Sequence, residues 1–388
     1  MASKTQDIPV ASSVLRWARE TIGKTTADVA RRLDMSENIV LKWESGEKTP
    51  TLAQIRQLAK FYKRPLAAFF LPHPPSEPAP PADFRTLPRT LKKPFSEKML
   101  LALRRTRRLQ SLVAELATAS DQRMEAGIGE ASLSDDPEDL ASRTRESIRV
   151  PIKEQLSWKK ESDALAEWKK AVEALGILVS ELSFPIEEGR AFSLADKASP
   201  VIVVNSNDAI HGRIFSLFHE YGHLLLGQSG ICDLTEEGKS VERFCNRFAG
   251  GFLVPKGALV ENEVTKNHTG GSRWSDEELL RLTQEFKVSR EVILRRFLIL
   301  GLTDEAFYQR KRAEWEIQLK EQTKRRMGRR IPARQCLRQN GVPFVSLALE
   351  AAHQDKITYR DLSDYLSISL KHLPTVESLV REERARYG

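Results

Sequence analysis

Six prolines crowd the stretch between Leu71 and Asp83: Pro72, Pro74, Pro75, Pro78, Pro80 and Pro81. Proline fixes φ and donates no backbone hydrogen bond, so neither a helix nor a central strand runs through such a segment, and it reads as an extended linker. The chain is therefore read as a short N-terminal piece and a long remainder. At 388 residues it is long enough for two or three domains with cores of their own. The expected boundaries are a helical domain over 8–72, the linker and a helical arm over 73–145, a mixed domain over 146–265 and a helical region over 266–388.

Composition excludes several classes. Hydrophobic residues make up 40% and charged residues 29%, no apolar run reaches membrane-spanning length, and the first residues are polar, without the apolar stretch of a signal peptide. No membrane partner is expected. Cys232, Cys245 and Cys336 are too few and too irregular for a disulfide framework, so a reducing cytoplasm is the expected setting. Lysine and arginine outnumber aspartate and glutamate by 61 to 53, a net charge of +8, which permits nucleic-acid binding without demonstrating it.

Residues 8 to 72 read as all helical. Ser13 to Ile22 is a first helix, Thr25 and Asp28 form a capping box that opens a second through Leu33, and Ser36 caps a third through Trp43, stopped by Ser45-Gly46. Helix, short turn, helix, with Ala30 inside the first of the pair, is a helix-turn-helix pattern. From Val29 to Thr51 the residues, including Trp43-Glu44-Ser45-Gly46 and Pro50-Thr51, closely resemble Xre-type DNA-binding domains. The resemblance implies that Glu37, Asn38 and Lys42 face base edges in the major groove, pairing with cytosine, adenine and guanine respectively. Ser36 belongs to the same DNA-facing end, and Thr26, Arg31, Lys48 and Thr49 are the expected phosphate contacts. The implied partner is double-stranded operator DNA, bound by a homodimer.

The second motif lies in Arg213 to Leu226, an apolar helical stretch without proline, stopped by Gly227. It contains Phe218-His219-Glu220-Tyr221-Gly222-His223, the pattern H-E-x-x-H. Residues four apart share a helix face, so His219 and His223 direct two imidazoles at one point, suited to Zn2+. Glu220 then lies beside the water that completes a catalytic zinc site and takes its proton. Of the downstream acidic residues Asp233, Glu236, Glu237 and Glu242, only Glu242 opens a further helix, Ser240 to Phe252. Glu242 is therefore the expected third ligand; Cys232 and Cys245 suit a closed structural site better. His211, Arg213 and Asn246 are the candidates for transition-state donors or for supporting the ligands.

Together with Arg190 to Ser193, Pro200 to Asn205, Glu242 to Ala249 and Leu253-Val254-Pro255, these residues resemble the ImmA/IrrE metallopeptidases over about 146–300. In that likeness His219, His223 and Glu242 match the metal ligands and Glu220 the catalytic glutamate. Cys245 stands where such proteins usually have alanine, which suggests local redox sensitivity. Phe84-Arg85-Thr86-Leu87 is a further tetrapeptide associated with this two-domain arrangement. The resemblance implies cleavage of one regulatory protein, often an Xre-type repressor, in stress response or mobile-element control. The alternative is a repressor or antitoxin whose metal fold binds a cognate toxin or other partner with little turnover.

The remaining pattern gives a mostly helical α+β chain: an all-α helix-turn-helix domain, a zincin-like metallopeptidase domain with a small sheet, and a helical C-terminal region. Ser96 to Ala126 is a long helix whose arginines lie on a solvated face. Glu130 to Pro137 is an acidic loop, Trp158 to Leu175 a helix, and Ile177 to Leu182, Ala191 to Leu194 and Val201 to Val204 are strands. An edge strand of this sheet is expected to hold an extended substrate. Asp276 to Phe286 and Ser289 to Leu302 form a second, apolar helix pair, Phe307 to Arg330 a charged helix and Ile357 to Leu379 a small cap.

Overall fold

A computed structural model describes residues 10–76, 82–83, 94–119, 126–196, 198–228, 230–232, 240–321 and 331–385. They divide into two compact units: residues 10–76 with 94–105, and residues 82–83 with 106 onward.

The first unit contains α1 (Ser12–Glu20), α2 (Thr26–Leu33), α3 (Glu37–Ser45) and α4 (Leu52–Phe61). Thr25 and Asp28 form the expected capping box, and Thr51 with Gln54 forms another at α4. Gly46 ends α3 in the left-handed conformation, which glycine adopts without the cost other residues meet. Val40 and Trp43 of α3 are buried with Leu15, Val29, Ile55 and Leu58, each worth about 1.5–3 kcal/mol when fully covered. Glu44 faces inward and accepts two hydrogen bonds from Arg19, at 2.6 and 2.8 Å, tying α1 to α3. The arm begins as α5 (Glu97–Ala119). Arg104 does not lie free on its surface: its guanidinium donates to the carbonyl of Lys63 at 2.8 Å and to that of Tyr62, where the end of α4 leaves carbonyls unpaired.

The second unit opens with β1 (Ala82–Asp83), inside the stretch read as linker. There follow α6 (Pro137–Ile148), α7 (Ile152–Ser157), α8 (Glu161–Glu173), β2 (Leu178–Leu182), β3 (Ala191–Leu194), β4 (Val201–Asn205), α9 (Ile210–Leu225), β5 (Gly230–Cys232) and α10 (Ser240–Leu253). Nine further helices complete the described chain: α11 (Lys256–Val260), α12 (Glu263–Lys266), α13 (Asp276–Phe286), α14 (Arg290–Ile299), α15 (Glu305–Glu321), α16 (Pro332–Asn340), α17 (Val342–His353), α18 (Tyr359–Leu366) and α19 (Leu373–Ala385). Phe84 to Leu87 and the basic residues Lys324 to Arg326, Arg329 and Arg330 lie outside the described residues.

The sheet order is β1-β5-β3-β4-β2, with β2 parallel to β4 and β3 antiparallel to both β4 and β5. Every residue of β2, β3 and β4 is buried, as in a sheet covered on both faces, and among the few polar ones Glu181 and Ser193 have partners there. Helix α9 lies against β3, β4, α8 and α10. Among the described residues β3 is paired on both sides, so the free edge expected beside the metal helix is not at that strand. Helices α6 and α7 were not foreseen. Asp136 caps α6 by accepting from the N–H groups of Glu138 and Asp139, and Pro137 sits at its first turn.

Two buried carboxylates join the sheet to its helices. Glu181 on β2 receives Lys169 of α8 at 2.8 Å, Arg213 of α9 at 2.8 Å and Arg338 of α16 at 2.7 Å. Burial would raise its pKa, but Lys169 and Arg338 hold it at about 2. Glu173 ends α8 with one carboxyl oxygen fully buried, and the backbone of Val179 and Val342 beside it opposes the effect of burial. Here burial prevails and pushes the pKa up to about 7. An acid whose pKa is higher folded than unfolded binds an extra proton in the folded state. Its favourable contribution is complete below about pH 4.3 and is lost as pH rises to about 7, roughly 3 kcal/mol in all. Glu173→Gln should therefore flatten the fall in stability between about pH 5 and pH 8, read as the wild-type-minus-variant difference in urea unfolding; an unchanged difference refutes the assignment.

Candidate metal centre

Apolar residues fix the lie of α9. Ile214, Leu217 and Phe218 turn into the core against Trp168 and Phe252, so the positions between them face α10 and β3. His219, Glu220 and His223 thus sit in the interior with no exposed surface, as does Glu242 in the first turn of α10. The two helices approach closely because Gly222 has no side chain. A Cβ there would stand 3.2 Å from Cys245 Sγ and 3.3 Å from Phe248, so these neighbours would have to shift by a few tenths of an ångström.

The structure brings three of the expected groups to one point. His219 Nε2 is 3.2 Å from His223 Nε2 and 3.1 Å from one Glu242 oxygen, while His223 Nε2 is 3.2 Å from the other. Bonds of about 2.0–2.2 Å in a tetrahedral zinc site place ligand atoms about 3.3 Å apart, so this donor set has the right spacing as well as the right chemistry. Burial would raise the pKa of Glu242, but the two imidazoles beside it hold it at about 2, in the ionised form a metal requires.

Asn246, one turn along α10 from Glu242, lies 3.0 Å from His219 Nδ1 through Oδ1. An acceptor there keeps the proton on Nδ1 and leaves the Nε2 lone pair for a metal, so Asn246 supports the ligand. Glu220 accepts a hydrogen bond from Ser193 Oγ on β3 at 2.7 Å. Sequence reasoning missed Ser193; a hydroxyl at the centre of a wholly buried strand is the signal it left. The other two candidates go elsewhere. His211 pairs with Glu161 at 3.2 Å and Arg213 with Glu181, and neither touches the cluster, because both lie in the first turn of α9 and are held by partners away from His219. Cys245 is fully buried, and burial followed by the charges of Glu242 and Glu220 pushes its thiol pKa up. A protonated buried thiol is inert, so Cys245 acts as packing and not as the redox-sensitive group expected of it. Asp233, Glu236 and Glu237 lie outside the described residues.

On α3, Glu37 and Asn38 are exposed and Lys42 is half-buried. Thr26 on α2 donates its hydroxyl to the Glu37 carboxylate, so an expected phosphate contact and an expected base reader hold each other. Ser36 is exposed at the N-cap, its side chain unused by the helix. Leu41, 51% exposed on the face of Asn38, is an apolar group of the kind that meets a thymine methyl; it was not foreseen because one leucine carries no pattern.

Residues 172–298 match the family model of the IrrE N-terminal-like domain, and residues 15–69 match a helix-turn-helix family model. No curated protein and no solved structure matches the chain. The chain thus joins a segment that matches the helix-turn-helix family to one that matches the IrrE N-terminal-like family. Among the described residues no helix is long and apolar enough to cross a membrane.

Proposed function

We propose that the protein is an operator-bound transcriptional regulator that is also a zinc endopeptidase, cleaving a specific regulatory protein of the repressor type. The observation that carries this reading is the convergence of His219, His223 and Glu242, with Glu220 next in sequence and held by Ser193. A zinc ion bound there supplies Lewis acidity and makes water a nucleophile at neutral pH. His219, His223 and Glu242 would hold it, and the Asn246 side chain on His219 Nδ1 would keep that imidazole in the tautomer a metal needs. Glu220 takes the proton of the attacking water, and the Ser193 hydroxyl on one of its oxygens orients the other.

The test is incubation of the wild type in zinc-supplemented cell extract beside Glu242→Ala. One protein lost only with the wild type supports the reading and names the target. Glu242→Ala should also strip the metal and leave DNA binding intact; stoichiometric zinc in the variant would move the third ligand to Asp233 or Glu237. On the DNA side, Asn38→Ala with Lys42→Ala should remove sequence preference, about 1–3 kcal/mol for each pair lost, and leave weaker, salt-sensitive binding through phosphate contacts. A footprint of unchanged specificity would place the base readers elsewhere.

One observation favours a second reading. All four groups of the cluster are fully buried and β3 has no free edge, so a peptide reaches Glu220 only if a covering segment moves. An antitoxin or repressor whose metal domain binds a partner with little turnover needs no such movement. It predicts no lost protein in the extract and a retained partner in its place.

A further inference from the structure

Between α10 and α14 lies a cavity of about 380 Å³ that the chemistry above does not use. Arg243, Arg247 and Arg295 line it with Leu298 and Ile299, and so does Asn246, the residue that holds His219. Two features set it apart from an ordinary surface groove.

The first is charge. Arg243 and Arg247 stand one turn apart on α10, both exposed, and neither forms an ion pair among the described residues. Like charges at this spacing cost a few tenths of a kcal/mol, and the one acid of α10, Glu242, is fully buried against His219 and His223 and not paired with the two arginines. Arg295 enters from α14, its side chain only 17% exposed and shared with Glu291 at 3.4 Å. Three guanidinium forks over an apolar floor match a doubly charged phosphoryl group attached to an apolar body. The volume lies in the range of small-molecule sites, about 300–1,000 Å³.

The second is Asn246. It is 5% exposed, and its Nδ2 is buried without a hydrogen-bond partner among the described residues. The orientation follows from the metal chemistry. His219 must present a bare Nε2, so its proton is on Nδ1, and the amide must turn its oxygen to that proton. The NH₂ group is left over, two donors in a residue that lines a cationic cavity. Leaving such a group unmet costs about 1–3 kcal/mol, which an anion accepting from it recovers.

The geometry points to a binding site for a phosphorylated small molecule, held by Arg243, Arg247, Arg295 and the Asn246 amide, and linked to the metal through His219. Nδ1 and Nε2 lie on different edges of the imidazole, so the ligand sits behind the ring and does not compete for the metal. An anion accepting from Nδ2 polarises the amide, strengthens Oδ1 as acceptor and makes Nε2 a better ligand. Anion and zinc therefore tighten each other's binding, as linkage requires. The binding itself does not depend on whether the centre cleaves peptides.

The experiment is calorimetric titration of the full zinc-loaded chain with inorganic phosphate and with phenyl phosphate. Both should bind, phenyl phosphate roughly tenfold tighter because its ring covers Leu298 and Ile299. Arg243→Gln with Arg247→Gln should weaken both tenfold or more. Asn246→Asp still accepts from His219 but offers the anion a negative charge, so it should lose anion binding and keep stoichiometric zinc. In the wild type alone, saturating phenyl phosphate should tighten zinc binding several-fold. No binding at roughly ten millimolar probe, binding equal in wild type and variants, or an unchanged zinc affinity would each overturn the proposal. So would loss of duplex DNA affinity in the arginine variant with phosphate binding intact, which would make these arginines DNA contacts.

Discussion

Glu220→Gln should slow cleavage of the target by about 10²–10⁴-fold, the usual worth of a positioned general base, with zinc content and operator affinity at wild-type levels. The expectation rests on how little else the substitution changes. Glutamine keeps the volume of glutamate in a site with no exposed surface, and its amide oxygen still accepts from Ser193 Oγ. What it loses is the ability to take a proton. His219, His223 and Glu242 converge through atoms that do not include Glu220, so the metal should stay. Time courses on the purified target, with metal analysis of both proteins, decide the matter. A variant as fast as the wild type would remove Glu220 from the reaction, whereas a variant that has lost its zinc would make the residue structural. Ser193→Ala is the companion: a smaller loss in kcat, with unchanged KM, if the hydroxyl only orients the carboxylate.

The largest effect on stability is expected away from the metal. Arg296, 1% exposed in α14, donates through Nε to the Val254 carbonyl at 3.0 Å and through both Nη atoms to Glu138 of α6. Glycine at 250 and 251 in the middle of α10, which costs up to about 1 kcal/mol at each position, makes room for this pair. A Cβ at Gly251 would stand 2.9 Å from a Glu138 oxygen, and one at Gly250 would stand 3.3 Å from Arg296 Cδ. Glu138→Ala leaves the guanidinium buried with one carbonyl for company. A loss on the order of 3 kcal/mol follows, at the lower end for a broken buried pair because Glu138 itself is one-third exposed. Adding Arg296→Met should restore much of it, since an apolar side chain has no charge to leave behind. Urea unfolding of the two variants checks both halves; a Glu138→Ala protein as stable as wild type would show that water reaches the guanidinium.

What could be read from the sequence was local. Thr25 with Asp28, Gly46 after Ser45, and the four-residue spacing of His219 and His223 are each decided within one or two turns, and the structure has them where the pattern put them. Glu242 was legible because only one downstream acid opened a helix. Ser193, Arg296 and Glu181 were not, because each acts on a partner 27 to 158 residues away and a single polar residue has no period. Arg296 in particular sits in a helix so apolar that it reads as a solvated exception. The pairing of β5 with β3 and with β1 was hidden for the same reason: strands of two or three residues gain their pattern from neighbours distant in the chain.

Glu181 carries an implication for how such a protein can change over generations. Its carboxylate draws one cation from each of α8, α9 and α16, so Arg338, well past the part matched to any family, helps neutralise β2, a strand at one end of the sheet. A recombination event that replaced the chain after α14 would deliver a new tail onto a strand missing one of its three counter-ions. Tail and sheet are bound to be inherited as a block, and the helix-turn-helix in turn is tied to the first turns of α5, beyond the run of prolines, through Arg104 and through the Lys24–Glu97 pair.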